Sequence, residues 1–239
     1  MRVADGAFKS VTMDHGVGYL HRNGFHDVKP IAYLPATKER FKMDFEGMMQ
    51  RWETTPAALR SFSKSLGVDV TSLKQLGARW CAEKTAWAFP MHDERRRVVG
   101  IRFRTEDGNK FAASGSRSGA FIPSGLDSDS TLFVCEGPTD TAAALSIGLQ
   151  AVGRPSCTGA SDIIAAMLQA GKRRKVVIVA DNDNPGWVGA KQLRDRIIGV
   201  VKSVSIIVAE PPHKDMRAWV RSGITEIDVL AKVHDVESK

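Results

Sequence analysis

The sequence predicts an α/β protein built on a mostly parallel sheet with helices on both faces, preceded by a smaller α+β segment. Three observations carry this. From residue 131 onward, apolar runs of strand length alternate with helix-length segments in the order β-α-β-α-β-α-β. That order is the signature of parallel strands joined by crossover helices. Two of the runs, 131–136 and 176–180, end in carboxylates at Glu136 and at Asp181-Asn182-Asp183, and each then turns into a helix start. Upstream, between residues 85 and 112, alternating strands meet at Asp107-Gly108, a strong hairpin signal.

The run Val176-Val177-Ile178-Val179-Ala180 is β-branched or small throughout, as in a strand buried on both faces. Asn184-Pro185-Gly186 turns the chain after it. If this strand and 131–136 are parallel neighbours, their C-terminal ends share the edge where open α/β sheets bind ligands. Glu136, Asp181 and Asp183 then converge. Clustered carboxylates repel unless a cation sits among them, and hard oxygen donors suit Mg²⁺ or Mn²⁺. The chain carries 34 Lys and Arg against 27 Asp and Glu, a net charge of +7. A basic chain with an acidic cluster suits a polyanionic partner held near a divalent metal.

The three cysteines stand far apart with no Cys-x-x-Cys pair, so neither a zinc ribbon nor a disulfide framework is indicated. Cys135 and Cys157 read as small core residues in a reducing compartment. The first thirty residues hold no signal-peptide core, and no apolar run is long enough to span a bilayer. The expectation is a soluble cytoplasmic protein with no membrane partner.

In chain order, 1–54 forms an N-terminal segment of unknown role, broken by Gly16, Gly18, Gly24, Pro30 and Pro35. His15, His21 and His26 fit no metal-ligand template and read as solvated or core residues. A helix is expected over 38–51, with Phe41, Phe45, Met48 and Met49 along one face. The second region is 55–127. Thr55 caps and Pro56 opens a helix that Gly67 ends, and a short helix follows over 72–76. Strands then cover 85–91, 98–104 and 109–112. Ile101 and Phe103 face one way and Arg102 and Arg104 the other, so Arg102, Arg104, Lys110 and Arg117 line one basic surface. Residues 114–130, rich in Ser and Gly, read as a linker. The third region, 128–222, holds the alternating units, and 223–239 a last helix capped by Thr225 with Asp228 three residues on. Lys172-Arg173-Arg174-Lys175 reads as a solvated loop, and Trp187 as a core residue rather than a base-stacking one.

These residues resemble a known family. Glu136-Gly137-Pro138-Thr139-Asp140 followed by Asp181-Asn182-Asp183-x-x-Gly186 is similar to the Toprim domain of bacterial-type primases, type IA and II topoisomerases and certain nucleases. Phe89-Pro90-Met91, Val99-Gly100-Ile101-Arg102-Phe103-Arg104, Lys110-Phe111 and Ser118-Gly119-Ala120-Phe121 look like the N-terminal half of a primase catalytic core. Lys214-Asp215-Met216-Arg217 resembles the Lys-Asp motif that closes the Toprim domain in primases. The resemblance implies a Toprim domain preceded by a smaller α+β primase N-terminal subdomain. It also implies metal-dependent synthesis of short RNA primers on a single-stranded DNA template from nucleoside triphosphates.

Under this resemblance Asp181 and Asp183 hold metal, and Asp215 is a further ligand, directly or through water. Glu136 assists as a metal ligand or proton acceptor. Arg102, Arg104, Lys110 and Arg117 meet the triphosphate and template, with Lys191 and Lys214 as weaker candidates. Gly137 and Gly186 serve tight turns close to phosphate, and Asp140 stabilises a helix start or touches a metal through water. The usual zinc-binding domain and the Gly-x-x-x-x-Gly-Lys-[Ser/Thr] loop of a helicase motor are not seen. A replicative helicase or a separate zinc-domain partner is therefore expected, as in a phage or other mobile element. A Toprim nuclease and a non-catalytic single-strand-binding module of an initiation complex are the competing readings.

Overall fold

The computed structural model describes residues 10–14, 17–21, 30–31, 43–171 and 174–237. The chain divides into two units, 1–42 and 43–239. In the first, β1 (Ser10–Asp14), β2 (Val17–His21) and β3 (Pro30–Ile31) form an antiparallel sheet in that order. Phe41, His15, His26, the His21 side chain and Lys172-Arg173 lie outside the described residues.

The second unit opens with α1 (Phe45–Arg51); Met43 and Asp44 are not helical and Asp44 caps it, so the helix expected over 38–51 begins at Phe45. The next helix, α2 (Pro56–Leu66), follows from its local chemistry. The Thr55 hydroxyl accepts from the Ala58 amide, Pro56 occupies the first turn, and Gly67 closes the end. After α3 (Val70–Gln75) come β4 (Arg79–Cys81), a 3₁₀ turn over Ala82–Lys84, β5 (Ala86–His92), β6 (Val98–Thr105) and β7 (Lys110–Ala112). They form an antiparallel sheet ordered β4-β5-β6-β7. Its two faces divide as the alternation requires. Ile101 and Phe103 pack with Phe45 and Met49 of α1, while Trp87 and Phe89 pack with Leu59, Phe62 and Leu73 of the helical pair.

The parallel sheet is built from β8 (Leu132–Glu136), β9 (Gln150–Arg154), β10 (Lys175–Ala180) and β11 (Ser203–Val208), ordered β11-β10-β8-β9 and parallel throughout. The intervening helices are α4 (Gly137–Ser146), α5 (Ser161–Ala170) and α6 (Asn184–Ile197), followed by α7 (Met216–Arg221) and α8 (Glu226–Glu237). Alternate strand residues feed opposite cores, as a strand's period of two dictates. Leu132, Val134, Val176 and Ile178 meet Ile164 of α5 and Leu193 of α6. Phe133, Cys135, Val177 and Val179 meet Trp219 of α7 and Val229 of α8. The Thr225–Asp228 capping box forms, with the Thr225 amide donating to Asp228 at 2.8 Å.

Three expectations need correction. Residues 114–130 are not a loose linker, because Gly119 to Pro123 are buried. Ala120 exchanges backbone hydrogen bonds with His92 at 2.8 Å, and Phe121 does so with Gly153 at 2.9 Å. This short segment therefore joins the end of β5 in one sheet to the edge strand β9 of the other. Ala120 and Ile122 enter the parallel-sheet core, while Phe121 enters the core of α2 and α3. In the Lys172–Lys175 run, Arg174 is buried rather than solvated and donates to the Asp127 carbonyl. Cys157 is only partly buried.

The Phe121 ring meets Phe89 edge-on, with centroids 6.4 Å apart. Phe121→Ala is expected to cost about 3–5 kcal/mol. Because the segment that carries the ring ties two cores together, denaturant unfolding should keep one cooperative transition at a lower midpoint. Separate transitions for the two sheets would contradict this coupling.

Candidate active site at the carboxyl edge of the parallel sheet

The parallel pairing of β8 with β10 brings Glu136 and Asp181 to the same edge. Asp183 caps α6, accepting from the Gly186 amide at 2.8 Å. Asp215 caps α7 in the same way, from the Ala218 amide at 2.7 Å. The Asn182 amide donates to the Lys214 carbonyl at 2.7 Å, which ties the two capped helix starts together. Lys214 also lies 3.6 Å from Asp183, an exposed pair. Two glycines allow these turns. Gly137 has φ +80, and a Cβ on Gly186 would stand 2.5 Å from the Asp181 carbonyl oxygen and 3.0 Å from its nitrogen.

The carboxylates feel one another. Burial and then Glu136, Asp215 and Asp183 push the Asp181 carboxyl up to about 7, against a smaller opposing effect of Lys214. Asp140, in the first turn of α4 and 6% exposed, is likewise pushed up to about 7 by burial and then by Asp215. Its carboxylate accepts the Arg217 amide at 3.0 Å, linking α4 to the start of α7.

All four edge groups are hard oxygen donors under mutual repulsion, which is the chemistry a divalent cation relieves. Among the described residues no three His, Cys, Asp or Glu side chains form a group able to enclose an ion by themselves. The set fits Mg²⁺, which keeps several waters and shares its shell with substrate phosphates, better than a closed protein cage.

The basic residues separate into distinct places. Arg104 lines a 530 Å³ cleft with Arg217, Glu106, Trp80, Trp87 and Phe62. Burial and then Arg217 pull its guanidinium below the ordinary value, while Asp140 and Asp215 oppose this, so it lies within electrostatic reach of the carboxylates. Lys110 pairs directly with Arg104 across β6 and β7, and Arg102 stands two residues back on the same strand. Arg117 is elsewhere, its amide bonded to the Val99 carbonyl at the far end of β6. Lys191 lies over the Trp187 ring at 5.8 Å, in a separate depression along β11. Trp187 is 36% exposed, so the core role expected for it does not hold.

Two residues escaped the sequence reading. Arg154 is 1% exposed, sits opposite Glu136 in the β8–β9 register, and donates to the carbonyls of Cys157 and Gly189. Burial pulls its guanidinium down, opposed first by Glu136 and less by Cys157, Cys135 and Asp181. A charged residue at the C-terminal end of a buried parallel strand was the available signal. Arg217 was marked only as part of a motif. A cation in the first turn of a helix, against the macrodipole, was its signal.

Asp140 supplies a test of this edge. A buried carboxyl with a raised pKa binds a proton more tightly in the folded state, so stability falls as pH rises from about 4 to about 7. Across that range the full cost is roughly 4 kcal/mol. Asp140→Asn keeps an acceptor for the Arg217 amide and removes the charge. It should raise the metal-free thermal midpoint at pH 8, with a much smaller gain near pH 4.5. A gain independent of pH would contradict the electrostatic cause.

No family model matches the chain, and no curated protein does. Solved structures do. Over 80% of this chain and 78% of the other, the fold is similar to that of the DnaG catalytic core, at 16% identity and a TM-score of 0.62. It is also similar to a DnaG primase catalytic domain bound to single-stranded DNA, at 15% identity, covering 80% and 76%, with a TM-score of 0.59. The primase fragment of the bacteriophage T7 primase-helicase gives 15% identity, 71% and 72% coverage and a TM-score of 0.51. The chain thus has the fold of primase catalytic cores.

Proposed function

We propose that the protein is a primase: it joins ribonucleotides on a single-stranded DNA template to make short RNA primers. One observation carries the reading. Carboxylates at the edge of a parallel sheet face an arginine-lined cleft on the antiparallel subdomain, within a fold shared with primase cores. Nucleotidyl transfer needs both halves. The 3′-hydroxyl of one nucleotide attacks the α-phosphorus of the next, a P–O bond forms, and pyrophosphate leaves with its negative charge. Asp181, Asp183 and Asp215 are the residues that would hold Mg²⁺ or Mn²⁺, with Glu136 beside them. The bound metal supplies Lewis-acid stabilisation of charge on the phosphoryl oxygens and the leaving group.

The chain's own groups do the rest. Arg104 and Lys110 bind the triphosphate and hold it toward the carboxylates. Arg102 extends the basic surface for the template backbone, Arg117 stands apart from it at the far end of β6, and Lys214 sits at the rim beside Asp183. Trp80, Trp87 and Phe62 wall the cleft. Phe62 and Trp87 stack at 4.2 Å, which keeps that wall rigid. Glu136 is the group we assign as a further metal ligand or as proton acceptor for the attacking hydroxyl. Arg154, opposite Glu136 across β8 and β9, ties the end of β9 to α6 through the Cys157 and Gly189 carbonyls and supplies a buried positive charge.

A replicative helicase or a zinc-domain protein is the partner that would supply start-site choice, as suits a phage or other mobile element. Among the described residues no helix is long and apolar enough to cross a membrane.

The decisive measurement incubates the protein with single-stranded DNA, labelled nucleoside triphosphates and Mg²⁺ or Mn²⁺. Short labelled products are expected. They should fall at least about 100-fold with Asp181→Ala/Asp183→Ala. Arg104→Ala should raise the KM for nucleoside triphosphate by about tenfold, with a smaller change in kcat. Degraded template without synthesis would instead identify a nuclease.

A further inference from the structure

We propose that the groove between α6 and β11 is a second binding surface, for single-stranded nucleic acid, separate from the Arg104 cleft. The groove has a volume of about 750 Å³ and runs along the outer strand of the parallel sheet. Lys175, Lys191, Arg194 and Lys202 line it together with Trp187 and the backbone run Ser203 to Ile206. Among the described residues no carboxylate lines it. Arg194 is paired with Asp195 at 2.8 Å, so the charge that matters most is that of Lys191 and Lys202.

The layout follows from helix geometry. Asp183 caps α6 at the carboxylate edge, and Trp187, Lys191 and Arg194 follow at intervals of four and three residues, which places them on one face. At about 1.5 Å per residue, Trp187 lies roughly 6 Å along the axis from Asp183 and Arg194 roughly 16 Å. Lys202 precedes β11 and Lys175 begins β10, so the line ends at the opposite edge of the sheet. The result is a basic track that begins one helical turn from the candidate catalytic edge and leads away from it.

The occupant follows from the chemistry. A groove whose lining holds cations and, among the described residues, no carboxylate takes a polyanion. The exposed Trp187, held under Lys191, adds an aromatic face on which an unpaired base can stack. A duplex keeps its base faces stacked and offers nothing to that ring. DNA and RNA single strands share this chemistry, and the track suits a template strand leaving the edge or a nascent primer.

The inference does not require catalysis, so its test omits metal and nucleoside triphosphates. Fluorescent dT20, rU20 and a twenty-pair duplex are titrated with the full chain and read by anisotropy over a salt series. At least one single strand should bind, and which one identifies the source. Lys191→Glu/Lys202→Glu should weaken binding by about tenfold or more and lower the salt slope by about one to two. Trp187→Ala, a milder change, should cost at least about fivefold and leave the salt slope nearly unchanged. Unaltered thermal midpoints exclude misfolding. Affinity within twofold of wild type in both variants would overturn the proposal. So would equal affinity for the duplex, or binding of neither single strand. Failure of primer synthesis would leave it standing.

Discussion

Repulsion among carboxylates at one sheet edge is the constraint around which the unit 43–239 is arranged. Asp140 and Asp181 both sit near neutrality in their proton affinity, because burial and neighbouring carboxylates disfavour their charged forms. Nothing in a strand or helix by itself would gather such groups. They are held by backbone devices that tolerate negative charge: Asp183 and Asp215 as helix caps, and Asp140 within the first turn of a helix. Each position places a carboxylate at the positive end of a macrodipole. The Asn182–Lys214 and Asp140–Arg217 backbone links then lock these helix starts to one another. The edge is therefore stiff before any ligand arrives, which is what a site for phosphoryl chemistry requires.

That stiffness depends on how closely α4 can be packed. Its residues Gly137 to Ala144 are all buried. Ala142 and Ala143 face the core of α2 and α3, and Ala144 faces the parallel-sheet core with Trp219. Small side chains on both sides let one helix serve two cores without voids. The Ala120–Phe121 segment performs the matching task for the sheets, bonded to β5 on one side and β9 on the other. Together they fix Arg104, which belongs to the antiparallel sheet, against Asp140 and Asp215, which belong to the parallel one. Displacing either link would separate the cleft's cations from the edge's carboxylates.

Much of this was legible where cause and effect are close in sequence. Thr55-Pro56 with Gly67, the Thr225–Asp228 box, and the alternation of Ile101 and Phe103 with Arg102 and Arg104 are local rules, and the elements follow them. Glu136 and Asp181 were legible as strand ends because a parallel sheet places all such ends on one edge. What escaped was decided by partners distant in the chain. Arg154 means nothing until β9 lies beside β8, and only then does it face Glu136. Residues 114–130 look like a linker by composition, yet Ala120 and Phe121 bond the end of β5 and the outer strand β9, partners that lie far away in the chain. Trp187 was assigned to the core because tryptophans are mostly buried. The identity of its neighbour, Lys191 one turn on, pointed the other way.

The helix α6 shows why one element can carry two functions without conflict. Its N-terminus is committed to the carboxylate edge through the Asp183 cap. Its inner face, Ala190, Leu193 and Ile197, is committed to the core. Neither commitment constrains the outward stripe of Trp187, Lys191 and Arg194. The cost of exposing an aromatic ring there is small when a cation covers one face, and the lysines are solvated in any case. A random solvated face would scatter acids among its bases, because mixed charge favours solubility. Here the described lining of the groove holds four cations and no carboxylate, with Asp195 beside it paired to Arg194, while Asp181 and Asp183 lie at its head. A polyanionic strand approaching this surface is thus attracted along the track and repelled at the edge itself, unless a divalent ion is present there to receive it.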